Sequence, residues 1–72
     1  MRYWMSVVPV KCDTCGIGIG HRFYDAATNY NSIWAIICPS CHHFGPGRGL
    51  VGPGRGQEYT KQDDGRFAKT AG

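Results

Sequence analysis

The hydrophobic pattern predicts three short β-strands in the first part of the chain. Arg2–Lys11 is rich in aromatic and β-branched residues, which favour strands. In Ile17–Tyr24 the isoleucines alternate with glycines, as in a strand with one buried face. Ser32–Ile37 is a continuous apolar run, which indicates a buried strand, and we expect its Trp34 to pack on the cysteine-bearing turns that flank it.

A change in composition follows Phe44. Gly45–Gly56 reads GPGRGLVGPGRG, so the motif GPGRG occurs twice, and no helical or strand periodicity is present. One interpretation is a flexible connector. The other is an extended arm that offers Arg48 and Arg55 to phosphates or carboxylates, about 20 Å apart at roughly 3 Å per residue. Both interpretations stay open from the sequence alone.

The last part of the chain predicts a β-hairpin. Asp64-Gly65 is a strong turn signal between two strand-forming segments, and Tyr59 and Phe67 are placed to pair across it. An isolated hairpin is only marginally stable, so this one must pack on the rest of the protein or on a partner.

Two CxxC pairs account for every cysteine, and they predict a metal site. The spacing C-x2-C-x22-C-x2-C is typical of two turns, or knuckles, that share one zinc ion. Disulfides are the alternative, but Met1–Val10 shows no secretory leader, and no stretch has the length of a membrane span. An intracellular location favours thiolates. The predicted ligands are Cys12, Cys15, Cys38 and Cys41.

The chemistry of the site favours a structural metal. Four thiolates saturate zinc and leave no open position, and no nucleophile–base arrangement is apparent, so we expect neither catalysis nor a small-molecule substrate. Iron is the alternative metal, because CxxCG and CPxC are also the cysteine pattern of rubredoxin-type electron carriers. His42 and His43 adjoin the last ligand and are interpreted as lying outside the ligand set, with a hydrogen bond from His42 to a thiolate possible.

The charge balance is mildly basic. Eight lysines and arginines stand against five acidic residues, for a formal net charge of +3. This excess is compatible with nucleic acid or an acidic protein surface and requires neither. The cations that we predict to contact a partner all lie in the C-terminal part of the chain: Arg48, Arg55, Lys61, Arg66 and Lys69.

Several segments resemble small zinc-ribbon proteins of tailed bacteriophages. They are Tyr24–Thr28, Trp34-Ala35, Cys38–Cys41, the GPGRGQEY of Gly52–Tyr59, and Asp64–Phe67. The resemblance implies action inside an infected bacterium, with binding to the host transcription machinery, to nucleic acid or to another phage protein.

These observations predict a small β-rich, metal-stabilised domain. A zinc ribbon spans residues 1–44, a glycine-rich arm spans 45–56, and a hairpin with its tail spans 57–72. We expect a binding adaptor or regulator that docks on a protein–nucleic-acid machine, most plausibly host RNA polymerase, in the bacterial cytoplasm and without a membrane. A direct nucleic-acid binder, a rubredoxin-like iron carrier and a minor virion component are the alternatives.

Overall fold

Four strands and one short helix are present in the computed structural model, which describes residues 2–72. They are the strands β1 (Arg22–Ala27) and β2 (Trp34–Ile37), the helix α1 (Pro39–Phe44), and the strands β3 (Gly56–Lys61) and β4 (Phe67–Ala71). The strands form one antiparallel sheet in the order β2-β1-β3-β4. Because β3 pairs with β1, the C-terminal hairpin and the cysteine-bearing segment share a single sheet.

The strand predicted at Arg2–Lys11 does not form. Only isolated bridges occur there, one between Tyr3 and Ala68 and one between Lys11 and Gly18. Two hydrogen bonds hold the first residues on the outer edge of β4, namely Trp4 N–H to the Phe67 carbonyl (2.8 Å) and Lys69 N–H to the Arg2 carbonyl (2.7 Å). The chain then leaves this edge, so its strand propensity finds no neighbouring strand to pair with.

The other two predicted strands exist with shifted bounds. The second begins at Arg22 instead of Ile17 and continues to Ala27, and the third begins at Trp34. The segment around Gly18 pairs back on Lys11 instead of entering the sheet, which delays the start of β1. Trp34 is also 46% exposed, so the prediction that it packs on the cysteine turns is wrong.

An aromatic cluster fills one part of the core. Phe23 of β1 is fully buried and packs on Tyr59 of β3 and Phe67 of β4, with ring centroids 5.3 Å and 5.1 Å away. Trp4 closes the cluster edge-on, 5.2 Å from the Phe23 ring. Aromatic pairs at these distances and angles are favourable. The tryptophan that serves the core is therefore Trp4, which the short N-terminal pairing on β4 holds in place.

The helix α1 was not predicted. Cys38 is its N-cap and Pro39 occupies the first turn, where the missing N–H of proline costs nothing. His42 of α1 is buried, with its ring stacked on the Tyr24 ring at a centroid distance of 3.7 Å, and its Nε2 bonds to the Leu50 carbonyl at 2.8 Å. The hydrogen bond predicted from His42 to a thiolate is replaced by this one.

The GPGRG repeat is folded onto the domain and does not form an extended arm. Asn29 N–H donates to the Pro46 carbonyl (2.8 Å), and Ala27 N–H donates to the Arg55 carbonyl (2.9 Å). Gly52 and Gly56 form a bridge that turns the chain into β3. The two copies have different environments, because the first follows α1 and the second begins a central strand.

The hairpin turn is confirmed and its side-chain register is corrected. Gly65 has a φ of +87°, and Gln62 N–H donates to the Arg66 carbonyl (2.8 Å). Tyr59 lies opposite Lys69, while Phe67 lies opposite Lys61, so the two aromatic residues are diagonal neighbours and not a direct pair. Both rings still reach the same core cluster.

Substitution of Gly47 tests the packing of the first GPGRG copy. A Cβ on Gly47 would lie 2.7 Å from the Cα of His42 and 2.7 Å from Cδ1 of Ile37. We expect Gly47→Ala to lower the free energy of unfolding of the metal-loaded protein by about 1–3 kcal/mol, as overpacking does. Gly18→Ala is the matched control, because nothing lies within 4 Å of that Cβ. Equal stability of the two variants in a denaturant titration would contradict this packing.

Candidate metal centre

The four cysteines converge on one point. Their sulfur atoms all lie within 4.8 Å of one another, and Sγ of Cys15 is 3.8 Å from Sγ of Cys38. In a tetrahedral site with metal–sulfur bonds of about 2.3 Å, neighbouring sulfurs are about 3.8 Å apart. The structure therefore brings together all four predicted ligands in a cluster that fits one metal ion. The protein is a small β-rich domain with a cysteine cluster consistent with a zinc ribbon.

Backbone hydrogen bonds shape the first knuckle. Cys12 N–H donates to the Ile17 carbonyl (2.8 Å), and Gly16 N–H donates to the Cys12 carbonyl (3.0 Å). Gly16 has a φ of +77°, which glycine adopts without the steric cost of a side chain. Thr14 N–H points at the Cys12 sulfur (3.4 Å). This local turn presents Cys12 and Cys15 to the same side.

The helix N-terminus shapes the second knuckle. Cys41 N–H points at the Cys38 sulfur (3.5 Å), as an N-cap acceptor requires, and His42 N–H donates to the Cys38 carbonyl (2.9 Å). Since β2 ends at Ile37, the sheet delivers Cys38 directly to this turn. The second pair of ligands is thus held jointly by a strand and a helix.

A pair of hydrogen bonds joins the first knuckle to β2. Asp13 N–H donates to the Ile36 carbonyl (2.8 Å), and Ile36 N–H donates to the Asp13 carboxylate (2.9 Å). Ile36 lies two residues before Cys38, so this contact sets one knuckle beside the other. The sequence does not predict this contact; the only signal for it is the position of Asp13 between two ligands.

The ionisation of the sulfurs favours a bound cation. Burial raises the pKa of the Cys12 thiol, but hydrogen bonds from neighbouring backbone N–H groups outweigh burial and lower that pKa to about 6. Burial, hydrogen bonds with the other sulfurs and the charge of Cys12 together raise the pKa of Cys41 well above its usual range. One thiolate thus opposes ionisation of its neighbour, and a divalent cation among the sulfurs removes that opposition.

The donor set fits zinc and permits iron. All four cysteines are free, and the 3.8 Å separation is far from the roughly 2.05 Å of a disulfide bond. Four sulfur donors in tetrahedral array suit Zn²⁺ or iron, and zinc in such a site is coordinatively saturated. When bound, the ion would crosslink the two knuckles, and Cys12, Cys15, Cys38 and Cys41 would hold it.

Two of the five predicted partner-binding cations lie at the GPGRG repeat. Arg48 has a φ of +59°, and its Nη2 donates to the Thr28 carbonyl at 3.4 Å. The carbonyl of Arg55 accepts from Ala27 N–H, which fixes the backbone at the start of β3. Both side chains are exposed, so their role toward a partner stays a prediction.

The other three cations lie on the C-terminal hairpin that β3 and β4 form. Lys61 ends β3 and Lys69 lies in β4. Arg66 bonds to the Asp64 carboxylate (2.8 Å) and lies over the Tyr3 ring, with its Cζ 3.9 Å from the ring centroid. The five predicted cations therefore fall into two groups on different parts of the surface.

A groove lies beside the first knuckle. It has a volume of about 400 Å³, and it separates the knuckle from the loop between β1 and β2. This groove was not predicted, because it forms between segments that are distant in sequence. Its lining residues are Asp13, Thr14, Thr28, Tyr30, Ile33 and Ala35.

Comparisons with family models, curated proteins and solved structures give no match to this chain. Within residues 2–72, no helix has both the length and the apolar character needed to cross a membrane.

Metal removal tests the dependence of the fold on the cysteine cluster. We expect a chelator under reducing conditions to abolish near-UV circular dichroism and amide dispersion, because binding of a structural zinc supplies about 10–16 kcal/mol. Cys38→Ser should have the same effect, and added Zn²⁺ should restore only the chelated wild type. Persistence of native dispersion in the metal-free, reduced protein would show that the core is sufficient without metal.

Elemental analysis and the visible spectrum identify the metal. We expect protein purified from bacteria grown with both metals to contain one equivalent of zinc and to be colourless. A red oxidised protein with stoichiometric iron would contradict this expectation and favour the electron carrier. Co²⁺ substitution provides a positive control, since a tetrahedral four-thiolate Co²⁺ site absorbs visible light.

Proposed function

We propose that the protein is a metal-stabilised adaptor that binds another protein through exposed apolar side chains. The observation that carries the proposal is the number of these side chains. Among the described residues, 11 large hydrophobic side chains are exposed in a domain of this small size. Scattered exposed apolar residues are ordinary, but grouped ones mark interaction surfaces. They are Met5, Val7, Val8, Val10, Ile17, Tyr30, Ile33, Trp34, Phe44, Leu50 and Val51.

Two exposed residues beside the first knuckle form the clearest group, here called the knuckle patch: Val10 and Ile17. Val10 and Ile17 are 74% and 59% exposed. Val10 and Ile17 lie on the two chain segments joined at the Lys11–Gly18 bridge, where Val10 is opposite Ile19 and Ile17 is opposite Cys12. Val10 and Ile17 are therefore diagonal neighbours on one face of this pairing. Burial of each side chain at an interface contributes about 1.5–3 kcal/mol.

Binding is favoured over catalysis. A metal held by four thiolates is saturated and has no position for a substrate or an activated water. The fixed role of such an ion is to hold the two knuckles, and through them the exposed patch, in one geometry. We therefore propose a binding module without enzymatic activity.

The partner that we propose to test first is bacterial RNA polymerase. The support is the resemblance to phage zinc ribbons together with the net charge of +3, which suits a machine that holds nucleic acid. In this proposal the protein acts in the cytoplasm of an infected cell. The knuckle patch docks on protein, and the hairpin cations add electrostatic attraction.

Direct nucleic-acid binding is the second candidate, and one contact favours it. The Arg66 guanidinium stacks on the Tyr3 ring, with Lys69 in the strand paired to the same N-terminal residues. Arginine and aromatic planes of this kind accept unpaired bases by stacking. The partner carboxylate of Asp64 neutralises part of the charge of Arg66, which weakens this candidate relative to protein docking.

Two double variants separate the two functions. We expect Val10→Ser/Ile17→Ser to lose at least tenfold in affinity for purified RNA polymerase, because two buried apolar contacts are removed. Arg66→Ala/Lys69→Ala should change that affinity less. Biolayer interferometry with metal-loaded protein measures both, and retention of polymerase from nuclease-treated lysate provides an independent check.

A larger loss of binding in Arg66→Ala/Lys69→Ala than in Val10→Ser/Ile17→Ser would favour direct nucleic-acid binding. In that case binding to single-stranded DNA would weaken steeply with salt, and Arg66→Ala/Lys69→Ala would reduce the magnitude of the slope of log K against log salt by about 1.4. Absence of measurable affinity for polymerase, combined with binding to single-stranded DNA, would overturn the adaptor proposal.

A further inference from the structure

The outer edge of β2 is only partly covered. The N–H and C=O of Ile36 point away from β1. The N–H donates to the Asp13 carboxylate, and the C=O accepts from Asp13 N–H. Backbone direction alternates along an antiparallel strand, so Trp34, two residues earlier, directs its N–H and C=O to the same outer edge. Among residues 2–72 no further strand pairs with this edge. A strand edge with free donors and acceptors is a template for another extended chain.

The groove described above meets this edge at Ala35, the residue between Trp34 and Ile36. It begins at Asp13, where the knuckle pairs with Ile36, and continues past Ala35 to the loop residues Tyr30 and Ile33. The side chains of Tyr30 and Ile33 are 64% and 62% exposed. The groove therefore offers apolar contact beside free main-chain hydrogen-bonding groups, which is the combination found where peptides bind by strand addition.

The groove also has a charge preference. Asp13 is the one charged residue among its lining residues, and its side chain is exposed apart from one hydrogen bond with Ile36 N–H. A carboxylate accepts several hydrogen bonds, so Asp13 retains the capacity to bind a cationic donor. A lysine or arginine of an incoming chain satisfies that capacity.

We propose that this groove binds an extended, basic peptide segment of a protein partner, which adds to the sheet along the outer edge of β2. The peptide backbone pairs with Trp34, its apolar side chain packs on Tyr30 and Ile33, and its lysine or arginine faces Asp13. The inference rests on the proposed protein-binding function and assigns to it a second contact beside the knuckle patch. Because Asp13 and Thr14 lie between Cys12 and Cys15, metal loading fixes one wall of the groove.

A matched pair of variants at Trp34 isolates the main-chain contact. Trp34→Ala removes the indole and keeps the N–H, whereas Trp34→Pro removes both. Proline is tolerated at a strand edge whose N–H faces solvent, so both variants should fold and load metal, which circular dichroism and elemental analysis check. The probes are synthetic peptides enriched from a displayed library of short linear peptides by selection on the zinc-loaded full chain.

We expect the enriched peptides to contain lysine or arginine and to bind Trp34→Pro about three- to tenfold more weakly than Trp34→Ala. Asp13→Asn keeps a carbonyl oxygen for Ile36 N–H and should weaken binding about tenfold, whereas Asp63→Asn, in the hairpin turn, should not. Peptide binding should also be lost on chelation and regained with Zn²⁺.

Three results would overturn the proposal that the groove binds a peptide. They are equal peptide affinity of the two Trp34 variants, failure to enrich any peptide that separates them, and self-association of the protein that is lost in Trp34→Pro. Measurement of RNA polymerase binding keeps the two proposals apart. If peptides and polymerase both bind the two Trp34 variants equally while Val10→Ser/Ile17→Ser fails to bind polymerase, the groove is wrong and the adaptor stands. If the peptides bind as expected and polymerase does not bind, the polymerase partner is wrong and the groove stands.

Discussion

The convergence of four sulfur atoms is the constraint on which the rest of the domain depends. It joins two turns separated by 22 residues, and the intervening segment is β1, its loop and β2. The core that supports them is small, with Phe23 and Ile37 the largest fully buried side chains of the described residues. A core of this size contributes only a few kcal/mol, so a metal crosslink decides whether the sheet is stable.

The glycine-rich repeat solves a problem of topology. The chain leaves α1 and must return as β3 beside β1, close enough for backbone pairing. Gly47 passes His42 too closely for a side chain, and a Cβ on Gly56 would lie 2.9 Å from the Cβ of Ala26. The positive φ of Gly54 (+74°) supplies the turn within the second copy that leads into β3. This folding role explains the glycines; it leaves the exposed arginine side chains available for a partner.

Sequence alone predicted the features that local chemistry determines. The cysteine spacing defined the ligands, and Asp64-Gly65 defined the hairpin turn. The errors concern partners distant in the chain: Arg2–Lys11 has strand propensity, but only its first residues meet the edge of β4. The register opposite Tyr59 depends on an irregularity between Glu58 and Tyr59, and no residue pattern encodes it. Pro39 after Cys38 was a signal for α1 that helix-capping rules could have identified.

The same short turn serves stability and, in the function we propose, recognition. Within Cys12-Asp13-Thr14-Cys15, the outer residues bind the metal, while Asp13 pairs with β2 and lines the groove. The exposed Ile17 follows after Gly16, and its carbonyl accepts from Cys12 N–H, so the knuckle patch is anchored by the same turn. A domain with so small a core cannot hold exposed apolar side chains in a fixed arrangement by packing alone. A metal ion bound by four thiolates can fix that arrangement, and it has no open position for catalysis. A closed four-thiolate centre is therefore consistent with the binding function that we propose.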